Sequence, residues 1–376
     1  MISKVELRNF KCFQHLKMPL AELTLLAGSN ASGKSSFLQS LVVLHQTIRE
    51  NEWSKRLVLN GEILSLGTVQ DVVNKIHGRN DFSLNLTDDE STYCWGFNGE
   101  RAEMSMQVNC FPGEPISSDV SLNKLLPMEG RENQKICTTL ETLTYITAER
   151  IGPRDFYALE DRRTIQTVGP KGEHAVSCLY RLAEKTVHSN LCVAGTPPTL
   201  MRQVEAWMQK FFPGCGVEIT PIARMNAVSL GIRTSDETDY HRPVNVGFGL
   251  TQVLPILVAT LSANENDLIL IENPEVHLHP AGQALMGGFL AMIASSGTQI
   301  VLETHSDHVL NGIRRAVRSK VLTPSQVALH FFRPSTPDMD QVVSPQLDAS
   351  GNIDFWPEGF FDQFDKDMNH FAGWGE

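Results

Sequence analysis

The stretch LTLLAGSNASGKSSFLQSLVVL, residues 23–44, decides how the rest of the chain is organised. It opens with an apolar run at residues 23–27, which predicts a buried strand. Residues 28–35, GSNASGKS, then match the pattern G-x-x-x-x-G-K-[ST] in full. After them, apolar residues recur at helical spacing, at Phe37, Leu38, Leu41, Val42 and Leu44. The stretch therefore predicts a strand, a glycine loop and a helix in succession.

The glycine loop has the chemistry of a phosphate-binding site. Its glycines let the backbone turn so that N–H groups face an anion, and the start of the helix adds partial positive charge. Lys34 is expected to reach the β- and γ-phosphates, and the Ser35 hydroxyl is expected to bind Mg²⁺. The residues predicted to contact the nucleotide are Gly28, Ser29, Asn30, Ala31, Ser32, Gly33, Lys34, Ser35 and Ser36. The chain is therefore predicted to bind a nucleoside triphosphate.

The composition is that of an ordinary globular protein. The 376 residues are 41% hydrophobic and 20% charged, and they suffice for one large domain or two smaller ones. No signal-like segment follows Met1 and no apolar run reaches about 18 residues, so we expect a cytoplasmic protein that does not cross a membrane. The 7 cysteines are scattered without a C-x-x-C pair, which supports neither a disulfide framework nor a zinc ribbon.

The charge is distributed unevenly along the chain. The formal net charge of −11 argues against a nucleic-acid binder that uses its whole surface. Residues 338–376 hold 9 acids and 1 base, a net of −8, which leaves −3 for residues 1–337. One basic cluster consists of Arg314, Arg315, Arg318 and Lys320. It fits either a local anion-binding patch or a solvated helix face.

Patterns elsewhere predict an antiparallel sheet and helices. Residues 2–10 alternate like a half-buried strand, and residues 81–111 contain short alternating runs typical of an antiparallel meander. Residues 140–147, LETLTYIT, predict a strand, and the charged residues after it fit either a cleft lining or a structural ion pair. Residues 175–212 are mostly helical in pattern.

Two further buried strands deliver polar residues at their ends. Residues 267–271, DLILI, lead to Glu272, and a carboxylate at the end of a central strand suits a Mg²⁺ ligand. Residues 298–303, TQIVLE, lead to His305, which fits either a γ-phosphate sensor or a cap of the next helix. Residues 245–255, NVGFGLTQVLP, place two glycines before a helix, as an anion site or as a helix start without a ligand.

These segments, in this order, resemble ATPases of the ABC superfamily of the RecF, SMC and OLD types. The resemblance rests on N-F-K-C-F at residues 9–13, on G-x-G-x-x-Q at residues 247–252, on E-x-P-E-x-H-L-H-P at residues 272–280 and on His305. It implies an α/β fold, namely an ABC-type P-loop NTPase head with an antiparallel β subdomain and a short helical insert. It also implies ATP and Mg²⁺ as cofactors.

The resemblance implies roles for further residues. Gly247, Gly249 and Gln252 would form a degenerate signature that touches the γ-phosphate held by another subunit, so we expect a homodimer or higher oligomer closed by ATP. Glu272 would be the Walker B metal ligand and His305 the switch histidine. Gln70 would be either a Q-loop residue at the metal or a plain surface glutamine.

The position of the usual catalytic glutamate departs from the ABC pattern, because Asn273 occupies it. Asparagine can hold water by hydrogen bonds but cannot take its proton. Glu275 is the nearest carboxylate that could act as general base. We therefore expect ATP hydrolysis with slow basal turnover, assisted by Glu275, Asn273 and His305.

The resemblance also suggests a domain plan and a biological role. Residues 1–335 would form the head, with a helical insert at about 173–215, and residues 336–376 an acidic, aromatic element like one of unknown function on some OLD-like ATPases. We expect no Toprim nuclease domain. Stand-alone heads such as the Septu ATPase suggest antiviral defence with a separate effector, such as a nuclease encoded nearby. The alternatives are a RecF-like repair or maintenance ATPase that binds DNA directly, and a scaffold that binds ATP without hydrolysis.

Overall fold

The computed structural model describes residues 1–50, 55–77, 80–89, 91–110, 122–123, 125–127, 135–159, 167–334 and 340–372. The chain divides into two compact units. The first unit comprises Met1–Leu143, Ser325–Gln346 and Ile353–Glu376. The second unit comprises Thr144–Pro324 and Leu347–Asn352.

The secondary-structure elements are numbered in chain order. The strands are β1 Ile2–Phe10, β2 Phe13–Pro19, β3 Leu23–Gly28, β4 Arg56–Val58, β5 Asp81–Asp88, β6 Thr92–Asn98, β7 Ser105–Cys110, β8 Leu122–Asn123, β9 Leu126–Pro127, β10 Thr144–Ile146, β11 Tyr157–Ala158, β12 Gly216–Pro221, β13 Ala227–Arg233, β14 Leu268–Glu272, β15 Gln299–Glu303, β16 Val327–Phe332 and β17 Val342–Val343. The α-helices are α1 Lys34–Glu50, α2 Val69–Val72, α3 Lys135–Thr142, α4 Ala175–Arg181, α5 Leu200–Phe211, α6 Phe248–Leu261, α7 Pro280–Ser295, α8 Asp307–Arg318 and α9 Gln363–Ala372.

The first unit contains an antiparallel sheet of 6 strands in the order β2-β1-β5-β6-β7-β4. Its strands alternate buried and exposed residues, as β5 shows with Phe82, Leu84 and Leu86 turned inward. The Phe82 ring packs between those of Phe10 and Phe97, at centroid distances of 5.1 and 4.9 Å. The antiparallel subdomain predicted from the alternating runs is therefore confirmed.

The first unit also holds the strand, loop and helix predicted from residues 23–44. β3 is buried along its length and pairs in parallel with β16, in a register that sets Gly28 against Phe332. α1 begins at Lys34 and runs for 17 residues, with its apolar face buried. Burial on both faces explains why β3 reads as a continuous apolar run.

The second unit is built around three parallel strands, β10, β14 and β15. In their register Ile146 lies opposite Ile271, and Glu272 lies opposite Glu303. Because parallel strands point the same way, the residues that follow each of them share one edge of this sheet. That edge receives the chain after residues 146, 272 and 303.

A second, antiparallel sheet in this unit joins β11, β13 and β12. α4 and α5 lie within the predicted helical insert. The strand predicted at residues 140–147 is only partly correct, because α3 continues to Thr142 and the strand starts at Thr144. Ile136 and Leu140 are four positions apart and both are buried, so this segment has a helical apolar face that the short alternating pattern concealed.

The C-terminal element is partly covered by its own unit. The Phe360 ring is fully buried against Phe331 and Trp356, with both centroid distances 5.4 Å. On α9, by contrast, Met368 and Phe371 are exposed. The predicted domain boundary at residues 335–336 lies outside the described residues and stays a prediction. Within the described part of the chain, no helix is both long and apolar enough to span a membrane.

Candidate functional site

The glycine loop in the first unit has a backbone that only glycine fits at two positions. Gly28 has φ +141°, and a Cβ there would lie 2.2 Å from the carbonyl oxygen of Phe332. Gly33 has φ +114°, and a Cβ there would lie 2.7 Å from the Cys12 sulfur. The two glycines of the motif thus permit close approach to β16 and to the turn between β1 and β2. Both glycines of the loop between β3 and α1 thus have positive φ.

Lys34 lies against this loop. Its side chain is only 3% exposed, and its Nζ donates to the carbonyls of Gly28 at 3.0 Å and Ser29 at 2.8 Å. The Ser32 hydroxyl donates to the same Ser29 carbonyl at 2.8 Å. The predicted phosphate ligands Ser29, Asn30 and Ala31 are exposed at the tip of the loop. The ammonium is therefore held at the loop by local backbone oxygens.

A residue from the C-terminal part of the first unit braces the loop. Gln341, directly before β17, donates its side-chain N–H to the Ser32 carbonyl at 3.0 Å. Its side chain and that of Ser36 also hydrogen-bond to Cys12, although burial is the larger influence and raises the pKa of this thiol. The brace joins positions 309 residues apart in the chain.

Gln70 lies on the short helix α2 and its side chain is exposed. The turn that carries it is attached to the β1–β2 turn, since the Lys11 N–H donates to the Val72 carbonyl at 2.7 Å and Asn74 donates to the Lys11 carbonyl at 2.8 Å. The same β1–β2 turn contacts Gly33 through Cys12. The role of Gln70 as a metal ligand stays a prediction.

Glu272 ends β14 in the second unit and already has two hydrogen-bond partners. The Tyr145 hydroxyl donates to its Oε1 at 2.6 Å, and the Ala148 N–H donates to its Oε2 at 3.1 Å. Burial, and then the neighbouring Glu272 carboxylate, raise the pKa of Tyr145 far above its ordinary value, so this hydroxyl remains a donor. Each carboxylate oxygen keeps a lone pair, so the donor set suits a hard cation such as Mg²⁺.

Arg150 is a buried cation at the same edge of the parallel sheet. It is 5% exposed, and its guanidinium donates to the carbonyls of Thr147, Glu272 and Asn273 at 3.1, 2.9 and 2.8 Å. Burial lowers its pKa to about 10, while the charges of Glu275 and Glu272 oppose that fall. Its Nε has no hydrogen-bond partner among the described residues. Arg150 thus clamps the turn that follows β14.

Glu275 is the carboxylate whose environment is most unusual. Burial raises its pKa, against the lowering effects of hydrogen bonds from the His305 N–H, its own N–H and the Thr304 side chain, and of the Arg150 charge. Its Oε1 accepts the His305 N–H at 2.8 Å, whereas its buried Oε2 lacks a partner among the described residues. A buried carboxylate with one unsatisfied oxygen and a raised pKa has the properties of a general base or acid.

Asn273 and His305 flank this carboxylate. Asn273 has φ +43° and its N–H donates to the Glu303 carbonyl at 2.8 Å, while its buried Oδ1 lacks a partner in the described part of the chain. The His305 side chain is exposed. The three residues proposed from the sequence as catalytic are therefore brought together at the edge where β14 and β15 end.

The predicted signature residues occupy two different environments. Gly247 precedes α6 and is exposed, and a Cβ there would meet nothing closer than Leu250 at 3.9 Å. Gly249 contacts the turn after β14, since a Cβ there would lie 2.8 Å from the His277 carbonyl oxygen. Gln252 is 2% exposed, and its side chain points inward to the Ile151 carbonyl at 3.3 Å. The structure thus gives Gln252 an internal contact, and the contact with another subunit's nucleotide stays a prediction.

No group of three or more His, Cys, Asp or Glu side chains forms a metal cluster within the described ranges. His277 and His279, the two histidines of the E-x-P-E-x-H-L-H-P motif, are both exposed on the turn before α7. The ring of His277 instead contacts that of Phe248, at a centroid distance of 4.8 Å.

Sequence families match three parts of the chain. Residues 1–170 match the family described as an AAA ATPase domain. Residues 202–311 match the family described as "AAA domain, putative AbiEii toxin, Type IV TA system". Residues 322–370 match a protein family of unknown function, DUF3696. None of the curated proteins compared matches the chain.

Solved structures of SMC heads have the same fold. An SMC head bound to the C-winged helix domain of ScpA is 12% identical, with a TM-score of 0.56 over 92% of this chain and 98% of that one. A head with an extended coiled coil, bound to the C-terminal domain of ScpA and derived from Pyrococcus furiosus, is 11% identical, with a TM-score of 0.54 over 99% of each chain. Two parts of the chain thus match AAA ATPase families, and the fold of the chain is that of SMC heads. The predicted α/β ABC-type head is thereby confirmed, whereas the OLD-like and Septu assignments stay predictions.

Three residues that organise this ATPase head are absent from the sequence-based site. Arg150, Tyr145 and Gln341 hold the Glu272 turn and the phosphate loop through contacts that span 122, 127 and 309 positions. The charged run after β10 did point to Arg150, as one member of a cleft lining or an ion pair. Its actual partners are backbone carbonyls, which have no sequence signature.

Proposed function

We propose that this chain binds ATP with Mg²⁺, hydrolyses it slowly, closes into a dimer around it, and thereby regulates a separate effector protein in antiviral defence. The observation that carries the proposal is the phosphate loop. Gly28 and Gly33 take the backbone conformations that a phosphate nest needs, and Lys34 is held at that nest. The AAA ATPase match over residues 1–170 supports the same reading.

Ser35, Glu272 and Gln70 are the proposed Mg²⁺ ligands. Hydroxyl, carboxylate and amide oxygens are the donors that Mg²⁺ prefers, and the metal would neutralise phosphate charge. Tyr145 and the Ala148 N–H orient the Glu272 carboxylate while leaving lone pairs available. Support for this assignment comes from the chemistry of the donors.

For hydrolysis we propose Glu275 as the group that takes the proton of the attacking water. Its raised pKa makes it a better proton acceptor than an ordinary carboxylate, and its buried Oε2 has no hydrogen-bond partner among the described residues. Asn273 would hold the water through its amide, and His305 would respond to the γ-phosphate. Because Asn273, which cannot take a proton, stands where ABC ATPases usually have a glutamate, turnover is expected to be slow in the isolated head.

Closure into a dimer is proposed through the loop at Gly247. This glycine is exposed and unobstructed, so its backbone N–H is accessible to a second subunit. The matched SMC heads are complexes with ScpA, which supports a protein partner for this head as well. Light scattering with and without a slowly hydrolysed ATP analogue measures closure directly.

The defence role is supported by the match of residues 202–311 to the family described as "AAA domain, putative AbiEii toxin, Type IV TA system". The rival role, a RecF-like ATPase that acts on DNA, is favoured by the SMC-head fold and by the exposed Arg315 and Arg318. Copurification from the native operon distinguishes them. A bound nuclease or other effector supports defence, and bound DNA without an effector supports repair.

The test of ATP binding is Lys34→Ala. Loss of one charge-assisted contact to phosphate should weaken ATP affinity by at least about tenfold. The parent should gain melting temperature with ATP and Mg²⁺ because ligand binds only the folded state, and the variant should gain much less. Lys4→Ala, at an exposed position on β1 of the same unit, is the matched control and should behave as the parent. An equal rise in melting temperature for Lys34→Ala would refute the assignment.

A further inference from the structure

A cavity in the second unit lies apart from the carboxylates described above. Its volume is about 510 Å³, within the range of small-molecule sites. One wall is α8, one is the start of α7, and the third is the loop at residues 347–352 from the C-terminal part of the chain. The residues that line it are Pro280, Ala281, Ala284, His308, Asn311, Arg314, Arg315, Arg318, Ser350, Gly351 and Asn352.

The cavity is positively charged. Arg315 and Arg318 are exposed, and neither has a carboxylate within ion-pair distance among the described residues. The Asp307 carboxylate lies 3.8 Å from the His308 ring and pairs with neither arginine. Asp348, the acid of the third wall, accepts hydrogen bonds from the N–H groups of Ser350 and Asn352 within its own loop. Two guanidinium charges are therefore left for a ligand.

The third wall is built tightly onto α8. The Arg314 Nε donates to the Gly351 carbonyl at 2.7 Å, and its Nη1 donates to the Asn311 side chain at 2.8 Å. Gly351 has φ +76°, and a Cβ there would lie 2.4 Å from the Arg314 carbonyl oxygen, so this position requires glycine. Arg314 thus fixes the loop, while the two neighbouring arginines line the open cavity that the loop borders.

Basic residues in the last turn of a helix also stabilise its C-terminus, which is the plainer explanation of Arg315 and Arg318. That explanation requires neither a cavity nor a glycine-dependent loop pinned over it. Two like charges three positions apart also repel each other on a helix. A bound anion accounts for the charge, the cavity and the loop together.

We propose that this cavity binds a phosphate monoester on a ligand of nucleotide size. A monoester carries a charge of about −1.5 to −2 at neutral pH, which matches two guanidinium groups better than a single negative charge does. Guanidinium forks match phosphate oxygens in geometry. The remaining volume, lined by Pro280, Ala281 and Ala284, accommodates the organic part of the ligand.

The site gives the C-terminal element a function. Residues 322–370 match a family of unknown function, and residues 350–352 of that segment line the cavity. The monoester has two sources, a free nucleotide or the terminal phosphate of a nucleic-acid strand. The proposal stands independently of ATP hydrolysis, because none of the lining residues belongs to the proposed catalytic or ATP-binding set.

The experiment uses the full chain carrying Lys34→Ala, so that the phosphate loop contributes little binding. Calorimetric titration with adenosine and guanosine 5′-monophosphates, and with a short oligonucleotide bearing or lacking a 5′-phosphate, measures affinity for the monoester. Arg315→Gln and Arg318→Gln should each weaken binding about tenfold, the loss expected for a charge-assisted hydrogen bond. Lys320→Gln, an exposed cation just past α8 that does not line the cavity, is the control and should change affinity less than about twofold.

The outcomes separate cleanly. Binding of a mononucleotide, or of the oligonucleotide only when phosphorylated, supports the proposal and names the source. Absence of binding by every phosphorylated probe at millimolar concentration overturns it. Equal binding with and without the 5′-phosphate overturns it in favour of backbone phosphodiesters, and so does an equal loss in the Lys320→Gln protein. Normal melting temperatures for the arginine variants exclude unfolding as the cause of lost binding.

Discussion

The two units of the head hold their functional residues by different means. In the first unit, the phosphate loop positions Lys34 through carbonyls five and six residues away, and glycines at fixed spacing shape the backbone. In the second unit, Arg150 and Tyr145 position the Glu272 turn from more than 120 residues away. A local motif thus encodes the first arrangement, whereas tertiary contacts encode the second.

This contrast explains why the sequence predicts the phosphate loop better than it predicts the carboxylate edge. Four fixed positions in eight residues predict a phosphate loop because the loop makes its own geometry. The carboxylate edge depends on a buried cation bound to carbonyls, and any residue type supplies a carbonyl. The two regions should therefore fail differently when long-range contacts are removed.

The largest effect is expected from Arg150→Ala. Removing this buried cation leaves three carbonyls without their donor and takes an attractive charge away from Glu275, and such losses cost about 3–5 kcal/mol. Unfolding in urea, monitored by hydrogen exchange at β14 and β15, should show the loss in the second unit. Arg154→Ala, at an exposed position four residues on, should change stability by less than about 0.5 kcal/mol. Equal stability of the two variants would contradict the clamp.

Acidification should affect the two units in opposite directions. Burial lowers the pKa values of His45 and His330 in the first unit to about 4. The unfolded chain binds these protons more readily, so their contribution to stability is lost as the pH falls from about 6.5 to about 4, by roughly 2 kcal/mol per histidine at pH 5. In the second unit Glu275 has a raised pKa, so its protonation on acidification relieves an unfavourable buried charge.

Hydrogen exchange at pH 5 and pH 7, corrected for the intrinsic rate, measures this contrast. Protection of β3 and β16 should fall, and protection around β14 should be maintained or rise. His45→Asn can keep a hydrogen bond to the Leu140 carbonyl without titrating, and it should remove about half of the pH dependence in the first unit. Uniform loss of protection across both units would contradict the assignment to these histidines.

The smallest effect is expected at the distant contact between the phosphate loop and Gln341. Gln341→Ala removes the hydrogen bond to the Ser32 carbonyl and the one to Cys12, neither of which reaches a phosphate, so ATP affinity should fall only about two- to fivefold. Gln346→Ala, at an exposed position in the same segment, is the control and should leave affinity unchanged. A loss as large as that of Lys34→Ala would show that the loop depends on tertiary contacts as strongly as the carboxylate edge does.

Much of the fold could be predicted from periodicity. The buried strands β3, β14 and β15 read as apolar runs, and the meander in the first unit reads as alternation, because both patterns follow from which faces are buried. The secondary structure of residues 140–147 was harder to predict, since a short apolar pattern fits a helix end and a strand equally well. No local sequence pattern predicted that residues 347–352 would pack within the second unit.

The proposed site was predictable where chemistry follows from position along a strand. Glu272 and His305 end or follow buried strands, whereas Asn273 and Glu275 stand out through the resemblance to ABC ATPases. The parallel register explains why these residues meet at one edge. The inward contact of Gln252 was not predictable, because a glutamine after a glycine-rich turn serves a nucleotide or a carbonyl equally well.

Single-turnover phosphate release from Glu275→Gln measures whether ATP held at the phosphate loop is hydrolysed with Glu275 as the proton acceptor, as we claim. The amide still accepts the His305 N–H but cannot take a proton. ATP affinity should match the parent, whereas phosphate release should fall by at least about a hundredfold, the usual contribution of a general base. Phosphate release at the parent's rate, with ATP bound, would contradict the claim.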